Sequence, residues 1–561
     1  MPRHRSFSVV ISTDGRRESL AQTLESLRHL DYPNFEVCVV AGPTRDGTLE
    51  LLEMWRDKIK ILSCPVRNIS ISRNLGIGLA AGEIVAFLDD DAIPESDWLM
   101  RLNEAYQEDH VTAAGGFAYN PDGVSYQWRF GTIDRLGRAN VAWQGAAPEF
   151  NFPLSASFPS LLGANSSARR APVIEIGGFD ETYEYYLDET DLCCRLVDHG
   201  GHVAQLDGAC VHHKFRPSHI RDEARIIRDW YPIIKSKIYF SLINNQGHYP
   251  LSVVFEDTLS FIRQFSGQID WAISAGLVDE SERNRFNEHI ERAWRDGLSA
   301  GLAGHRKLRS KAEFEKLQKP FLPFKTFEPA GARRVFCFVS AAAENGRADR
   351  QSMEVASALS KLGHETHVFV SAGESSTVDF EGGVWMHRIA PPSEASLSSS
   401  HGAEIPNFIR NRVLGLAAAV RELSTRKSVA AVFVPLWGWE GPVLRDEGFS
   451  IIALAHESLR SYLDILPVRD FEHQAVLNAR LLAREAKCIL AHSPSVVRDQ
   501  ERHSLSIDPD RVIFIPEGME GWDPVAEASR SMIEEGDAFS RQLQAALEGQ
   551  EIAISAPVEE V

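Results

Sequence analysis

Asp89, Asp90 and Asp91 follow directly on an apolar run, FLDDD at 87–91. Asp89 and Asp91 flank a single residue, so a turn can aim both carboxylates at one divalent cation, and a cation held there can bind phosphate oxygens. An acidic triplet on its own also suits a solvated turn or a helix cap. A second acidic cluster, YYLDETDL at 185–192, sets Asp188, Glu189 and Asp191 beside aromatic residues. Partial desolvation there raises a carboxyl pKa toward that of a general base for a hydroxyl. The same residues suit the first turn of a helix running through Arg195, where the helix dipole favours acidic groups. His212 and His213, at the end of a short apolar stretch, offer imidazole nitrogens as metal ligands or as supporting core groups.

Such residues need a scaffold that brings strand ends together. Residues 7–12 (FSVVIS) form an apolar run, and Leu20, Leu24, Leu27 and Leu30 then recur at helical spacing. Residues 35–40 (FEVCVV) with a helical stretch at 48–55 repeat the pattern, and 82–88 (GEIVAFL) is a further strand, so the first part is α/β with a mostly parallel sheet. In open sheets of this kind the carboxyl ends of the strands form the ligand crevice, which is where Asp89–Asp91 fall. From 222 to about 317 helical periodicity replaces strand signals, as in Phe255, Leu259, Ile262 and Phe265, and 320–329 is proline-bearing and irregular. A second strand–helix series opens at 334–340 (RVFCFVS), continues through strands near 367–370, 430–435, 451–455, 488–491 and 512–515, and implies a second doubly wound sheet. The expected domains are 1–240, a helical connector 241–330, a Rossmann-like domain 331–521, and an acidic helix with a tail at 522–561.

With 561 residues the chain is too long for one hydrophobic core. Acidic residues exceed basic ones, 78 against 59, for a formal charge of -19, which opposes attraction to nucleic-acid phosphates. The seven scattered cysteines contain no C-x-x-C pair and read as reduced thiols of a cytosolic protein. No apolar stretch reaches the ~20 residues that span a bilayer, so a cytoplasmic location is expected. The basic, leucine-bearing stretch 305–319 leaves peripheral contact with the inner face of the membrane as an option beside a plain solvated helix face.

In order along the chain stand VVIST at 9–13, SRNLG at 72–76, FLDDD at 87–91, GGFDE at 177–181 and DETDL at 188–192. As an ordered set covering about residues 6 to 215, they resemble the family 2 glycosyltransferases of GT-A fold. The resemblance implies an inverting transferase that uses a nucleotide-sugar donor and a divalent cation, Mn or Mg. It puts Thr13 at a nucleotide-contacting position, Arg73 near the diphosphate, and Asp89 with Asp91 in the D-x-D pair; Asp90 falls with them on the donor side. It puts Glu189 at the catalytic carboxylate, with Asp188 and Asp191 as competitors, and His213 or His212 at a further metal-ligand position. One departure stands out: the family usually carries an aspartate after its second strand that reads the base, whereas this chain has Ala41.

Residues 334–340, 362–365, 383–389, 491–493 and 515–518 resemble, in order, the N-terminal lobe of family 4 type GT-B glycosyltransferases. The chain ends at Val561, too soon after Gly518 for the other lobe. That half is therefore expected to serve as an acceptor-binding or assembly module, or to be the front of a longer bifunctional protein. Trp437, Trp439 and His456 could meet a glycan or could be packing. The leading expectation is sugar transfer to a glycan or lipid-linked acceptor in surface polysaccharide synthesis. The alternatives are a noncatalytic glycan-binding scaffold and a sugar-phosphate nucleotidyltransferase, although TDGRR at 13–17 lacks the repeated glycines the latter needs.

Overall fold

The computed structural model describes residues 3–143, 145–329, 331–343, 347–392, 407–455, 472–491, 494–501, 505, 507–515 and 530–548. The chain divides into two compact units, Met1–Thr326 and Phe327–Val561. The first begins as alternating strands and helices: β1 (Phe7–Thr13), α1 (Arg17–Leu27), β2 (Phe35–Ala41), α2 (Thr48–Met54), β3 (Lys60–Ser63), α3 (Ile69–Leu79) and β4 (Ile84–Asp89). Shorter elements follow: β5 (Ala92–Pro94), α4 (Trp98–Ala105), β6 (Val111–Gly115), β7 (Ala118–Tyr119), β8 (Tyr126–Trp128), β9 (Thr132–Asp134), β10 (Ala139–Asn140), β11 (Ser157–Pro159), β12 (Asn165–Arg169) and α5 (Arg170–Glu175). The unit closes with α6 (Asp188–Asp198), β13 (His202–Gln205), β14 (Val211–His213), α7 (Tyr231–Ile243), α8 (Leu251–Ser274), α9 (Ser281–Ala303) and α10 (Lys311–Glu315).

Its main sheet has the order β13-β6-β12-β4-β1-β2-β3. β1 to β4 pair in parallel, and β12 is antiparallel to both β4 and β6. Alternate side chains enter separate cores: Phe7, Val9, Ile11, Ala86 and Leu88 on one face, Val10, Val85 and Phe87 on the other. Burial on both faces is why these strands read as unbroken apolar runs. The register pairs Thr13 with Ala41 and Ser12 with Asp89, so the chemistry-bearing loops leave the sheet at one edge. A second small sheet, β5-β14-β7-β8, lies beyond that edge, and in it His213 pairs with Ala92, next to Asp91.

The stretch 241–330, expected as a connector, lies almost wholly within the first unit. Ile262 and Ile269 of α8 and Phe286 and Ala293 of α9 share a core with Trp230, Ile234 and Ile238. The chain then returns to the sheet, burying Phe314 in one core and Phe324 in the other. Of the basic stretch 305–319, Arg306 pairs with Asp191 at 2.6 Å and Arg309 pairs with Glu181, so both cations are spent internally rather than facing a lipid surface.

The second unit is built on β15 (Val335–Ala343), β16 (Glu365–Ser371), β17 (Thr377–Glu381), β18 (Val384–Ile389), β19 (Val429–Pro435), β20 (Ile451–Ala455), β21 (Cys488–Ala491) and β22 (Val512–Phe514). Their order is β17-β18-β16-β15-β19-β20-β21-β22, parallel throughout except for β17 against β18. Trp437 and Trp439 are each 1% exposed and belong to its core, which answers the packing reading over a glycan contact. His456, residues 492–493 and 516–518, and the expected tail lie outside the described residues. Among the described residues no helix is long and apolar enough to cross a membrane.

Candidate active site

A cavity of about 290 Å³ opens at the carboxyl edge of the main sheet, lined among others by Thr13, Arg73, Asp89, Asp90, Asp91, Glu189 and His213. Arg73 reaches it from α3. That helix starts at Asn68, whose side chain accepts a hydrogen bond from Ile71 N at 2.9 Å. It then packs closely on β1, where a Cβ on Gly76 would lie 2.2 Å from Val10 Cγ1. Arg73 is buried, donates to Asp188 Oδ2, and stands 3.5 Å from Asp89 and 4.0 Å from Glu189. It therefore bridges the two acidic clusters, 87–91 and 188–189.

Asp89, Asp91 and His213 each present a ligand atom, all within 4.8 Å of one another. Two observations fit a divalent cation there. Buried Asp91 Oδ1 makes no hydrogen bond, although His213 Nε2 and Arg16 Nη1 both stand 3.3 Å away. His213 Nδ1 faces Gln127 Oε1 at 2.8 Å, so donation to Gln127 leaves Nε2 as the nitrogen turned to the carboxylates. Without a cation, burial disfavours the imidazolium but Asp91 and Asp89 outweigh it and raise the His213 pKa. A proton thus competes for the same nitrogen, and metal affinity should fall as the pH drops through a range above the ordinary imidazole pKa. A Mn²⁺ titration at several pH values, with His213→Gln flattening the dependence, checks this. Affinity unchanged by pH would contradict it.

The candidates separate on contact with the geometry. Successive strand residues face opposite ways, so His212 turns from the cluster, stacks on Tyr119 with ring centres 4.6 Å apart and stands 3.6 Å from Glu95. It is placed as a supporting core histidine, outside the group formed by Asp89, Asp91 and His213. Asp191, fully buried, does not line the cavity: it pairs with Arg195 at 2.7 Å and Arg306 at 2.6 Å and accepts from Asn244 at 3.0 Å. Burial alone would raise its pKa, yet Arg306 and Arg195 hold it down to about 2. These partners place it as an anchor for α6, away from the cavity. Asp188 is occupied by Arg73, and Asp90 accepts from Arg16 at 2.8 Å.

Glu189 remains. Two consecutive left-handed residues, Tyr186 (φ 73°) and Leu187 (φ 63°), turn the chain sharply into α6 and put Glu189 at the cavity wall. Such conformations cost of order 1 kcal/mol each for non-glycine residues, and here buried Leu187 and the stacking of Tyr186 on Phe261 hold them. Burial first and the neighbouring Asp188 second push the Glu189 pKa up, against the pull of Arg73. A carboxyl with its pKa raised in this way has the proton affinity that suits a general base.

Three contributors escape a motif reading. Arg16 braces Asp90 and also donates to the carbonyls of Pro217 and Arg216, tying the 214–221 segment over the acidic triplet. Gln127 orients His213. Arg306 holds α6 from a distance of 115 residues in the chain. Arg306→Ala should cost roughly 2–3 kcal/mol, less than full exposure of a buried unpaired carboxylate because Arg195 stays, and is checked by denaturant unfolding.

Residues 8–176 match the family described as Glycosyl transferase family 2. Over 223 residues the chain is 29% identical to a glucosyl-dolichyl phosphate glucuronosyltransferase of Haloferax volcanii, covering 37% of this chain and 68% of that protein. Over 108 residues it is 35% identical to the succinoglycan biosynthesis protein ExoM of Rhizobium meliloti, covering 18% and 35% respectively. Among solved structures, S. aureus TarS 1-349 in complex with UDP-GlcNAc shares 17% identity at a TM-score of 0.34, covering 53% of this chain and 83% of that one. The N-terminal unit thus carries a glycosyltransferase domain of family 2, and the family match stops short of the second unit.

Proposed function

We propose that the first unit transfers a sugar from a nucleotide-sugar donor to a hydroxyl of a glycan or lipid-linked acceptor, with inversion, in the synthesis of a surface polysaccharide. The observation that carries this is the convergence on one cavity of Asp89, Asp91 and His213, grouped as possible cation ligands, with Glu189 also lining that cavity. A divalent cation, Mn or Mg, bound there supplies positive charge to a diphosphate leaving group. Arg73, bridging the two clusters, adds a fixed cation near that charge. Glu189 accepts the proton of the acceptor hydroxyl as its oxygen bonds to the anomeric carbon and the carbon–oxygen bond to the diphosphate breaks. Attack from the face opposite the leaving group inverts the configuration. The names of two relatives, a glucosyl-dolichyl phosphate glucuronosyltransferase and a succinoglycan biosynthesis protein, support this acceptor class. The reaction is placed in the cytoplasm or at the inner membrane face, and the Rossmann-like unit from 331 is assigned an acceptor-binding or assembly role.

Incubating the chain with Mn²⁺ and a panel of nucleotide sugars, with and without acceptor oligosaccharides, tests this. Cation-dependent release of nucleoside diphosphate with an inverted product is expected from one donor class. Binding of glycans without turnover of any donor would favour a scaffold instead.

A further inference from the structure

The cavity has a second end, away from the cation ligands, where β1 and β2 finish side by side. Its walls are Asp14, Gly42, Pro43, Cys64, Val66 and Arg67. Ala41 is fully buried in the core, so the residue ending β2 presents nothing to a ligand. Asp14 is the residue that does. Its Oδ2 accepts from Arg67 Nε at 2.8 Å, while its Oδ1 is buried and has no hydrogen-bond partner. Gly42 makes room for it: a Cβ there would sit 3.1 Å from Asp14 Cβ and 3.3 Å from Asp14 Cγ. The strand pairing fixes this approach, since Thr13 lies opposite Ala41 and Gly42 N donates to Thr13 O at 2.7 Å.

We propose that Asp14, oriented by Arg67, is the residue that reads the nucleobase of the donor, taking the role that Ala41 cannot fill. This rests on the nucleotide-sugar reading above. A desolvated carboxylate oxygen seeks an N–H, the neighbouring guanidinium seeks a carbonyl, and Pro43 and Val66 supply apolar surface for a flat ring. The ligand edge that fits is an N–H beside a C=O, as on uracil, thymine and guanine. Adenine and cytosine present an amino group beside a ring nitrogen instead, and should bind less well.

Calorimetric titration of the full chain with Mn²⁺ and UDP, dTDP, GDP, ADP, CDP or inorganic pyrophosphate tests this. One of the first three should bind about tenfold or more tighter than ADP and CDP, the effect of one charge-assisted hydrogen bond. In Asp14→Asn that preference should shrink to about threefold or less, with pyrophosphate affinity changed by no more than about twofold. Arg67→Gln, whose side chain is half exposed, provides a second variant that leaves the fold intact and should also blunt the preference. A preference kept in full by Asp14→Asn, or nucleotides binding no tighter than pyrophosphate, would overturn the assignment while leaving the diphosphate end standing. Failure of every nucleotide and of pyrophosphate to bind would remove the transferase reading beneath it.

Discussion

Asp91→Ala is expected to lower Mn²⁺-dependent release of nucleoside diphosphate by roughly 10³-fold, because a lost cation forfeits several kcal/mol of charge stabilisation at about 1.4 kcal/mol per tenfold. The variant must be read beside Asp91→Asn. Asp91 also accepts from Arg216 N at 2.6 Å, and its backbone carbonyl accepts from Lys214 N at 2.8 Å. The asparagine keeps a hydrogen-bonding oxygen for Arg216 while removing the charge. Both variants should therefore lose activity, but Asp91→Asn should keep its melting temperature closer to that of the parent. Full activity in Asp91→Asn would show that charge at this position is dispensable.

Glu189→Gln should have the second large effect, a loss of roughly 10²- to 10⁴-fold in transfer, the usual contribution of a positioned general base. Nucleotide affinity should change little, since the proposed role of the residue is toward the acceptor hydroxyl. The pH dependence carries the sign. Glu189 works as the unprotonated form and its pKa is raised by burial and Asp188, so kcat/KM should fall as pH drops through a limb above the ordinary carboxylate range. Glu189→Gln should remove that limb along with the rate. A residual rate in Glu189→Gln that keeps the same limb would assign it to another group.

Most of the main sheet is legible in the residue pattern alone. Parallel strands covered on both faces must be apolar along their whole length, so FSVVIS and FEVCVV are plain, and strand polarity puts Asp89–Asp91 at the ligand edge. The choice between His212 and His213 is not legible, because it depends on which face of β14 meets the sheet edge, and β14 pairs with β5, over 100 residues upstream. Asp191 carries a local hint of its pairing: Arg195 follows at i+4, the spacing of a helical ion pair, which suits an anchor for the helix. Its stronger partner, Arg306, comes from the segment after α9, and no periodicity reports so distant a return. Arg16 stands in plain view in the TDGRR loop, but its task of bracing Asp90 emerges only once β1 and β4 lie side by side.

The most direct measurement is a crystal structure with Mn²⁺ and a nucleoside diphosphate, using anomalous scattering to find the metal. The expected result is one peak in bonding contact with Asp91 and His213 Nε2, touching diphosphate oxygens, with the Glu189 carboxylate facing the open side of the same cavity. A peak elsewhere, or a diphosphate bound away from Arg73 with Glu189 turned into another pocket, would contradict it.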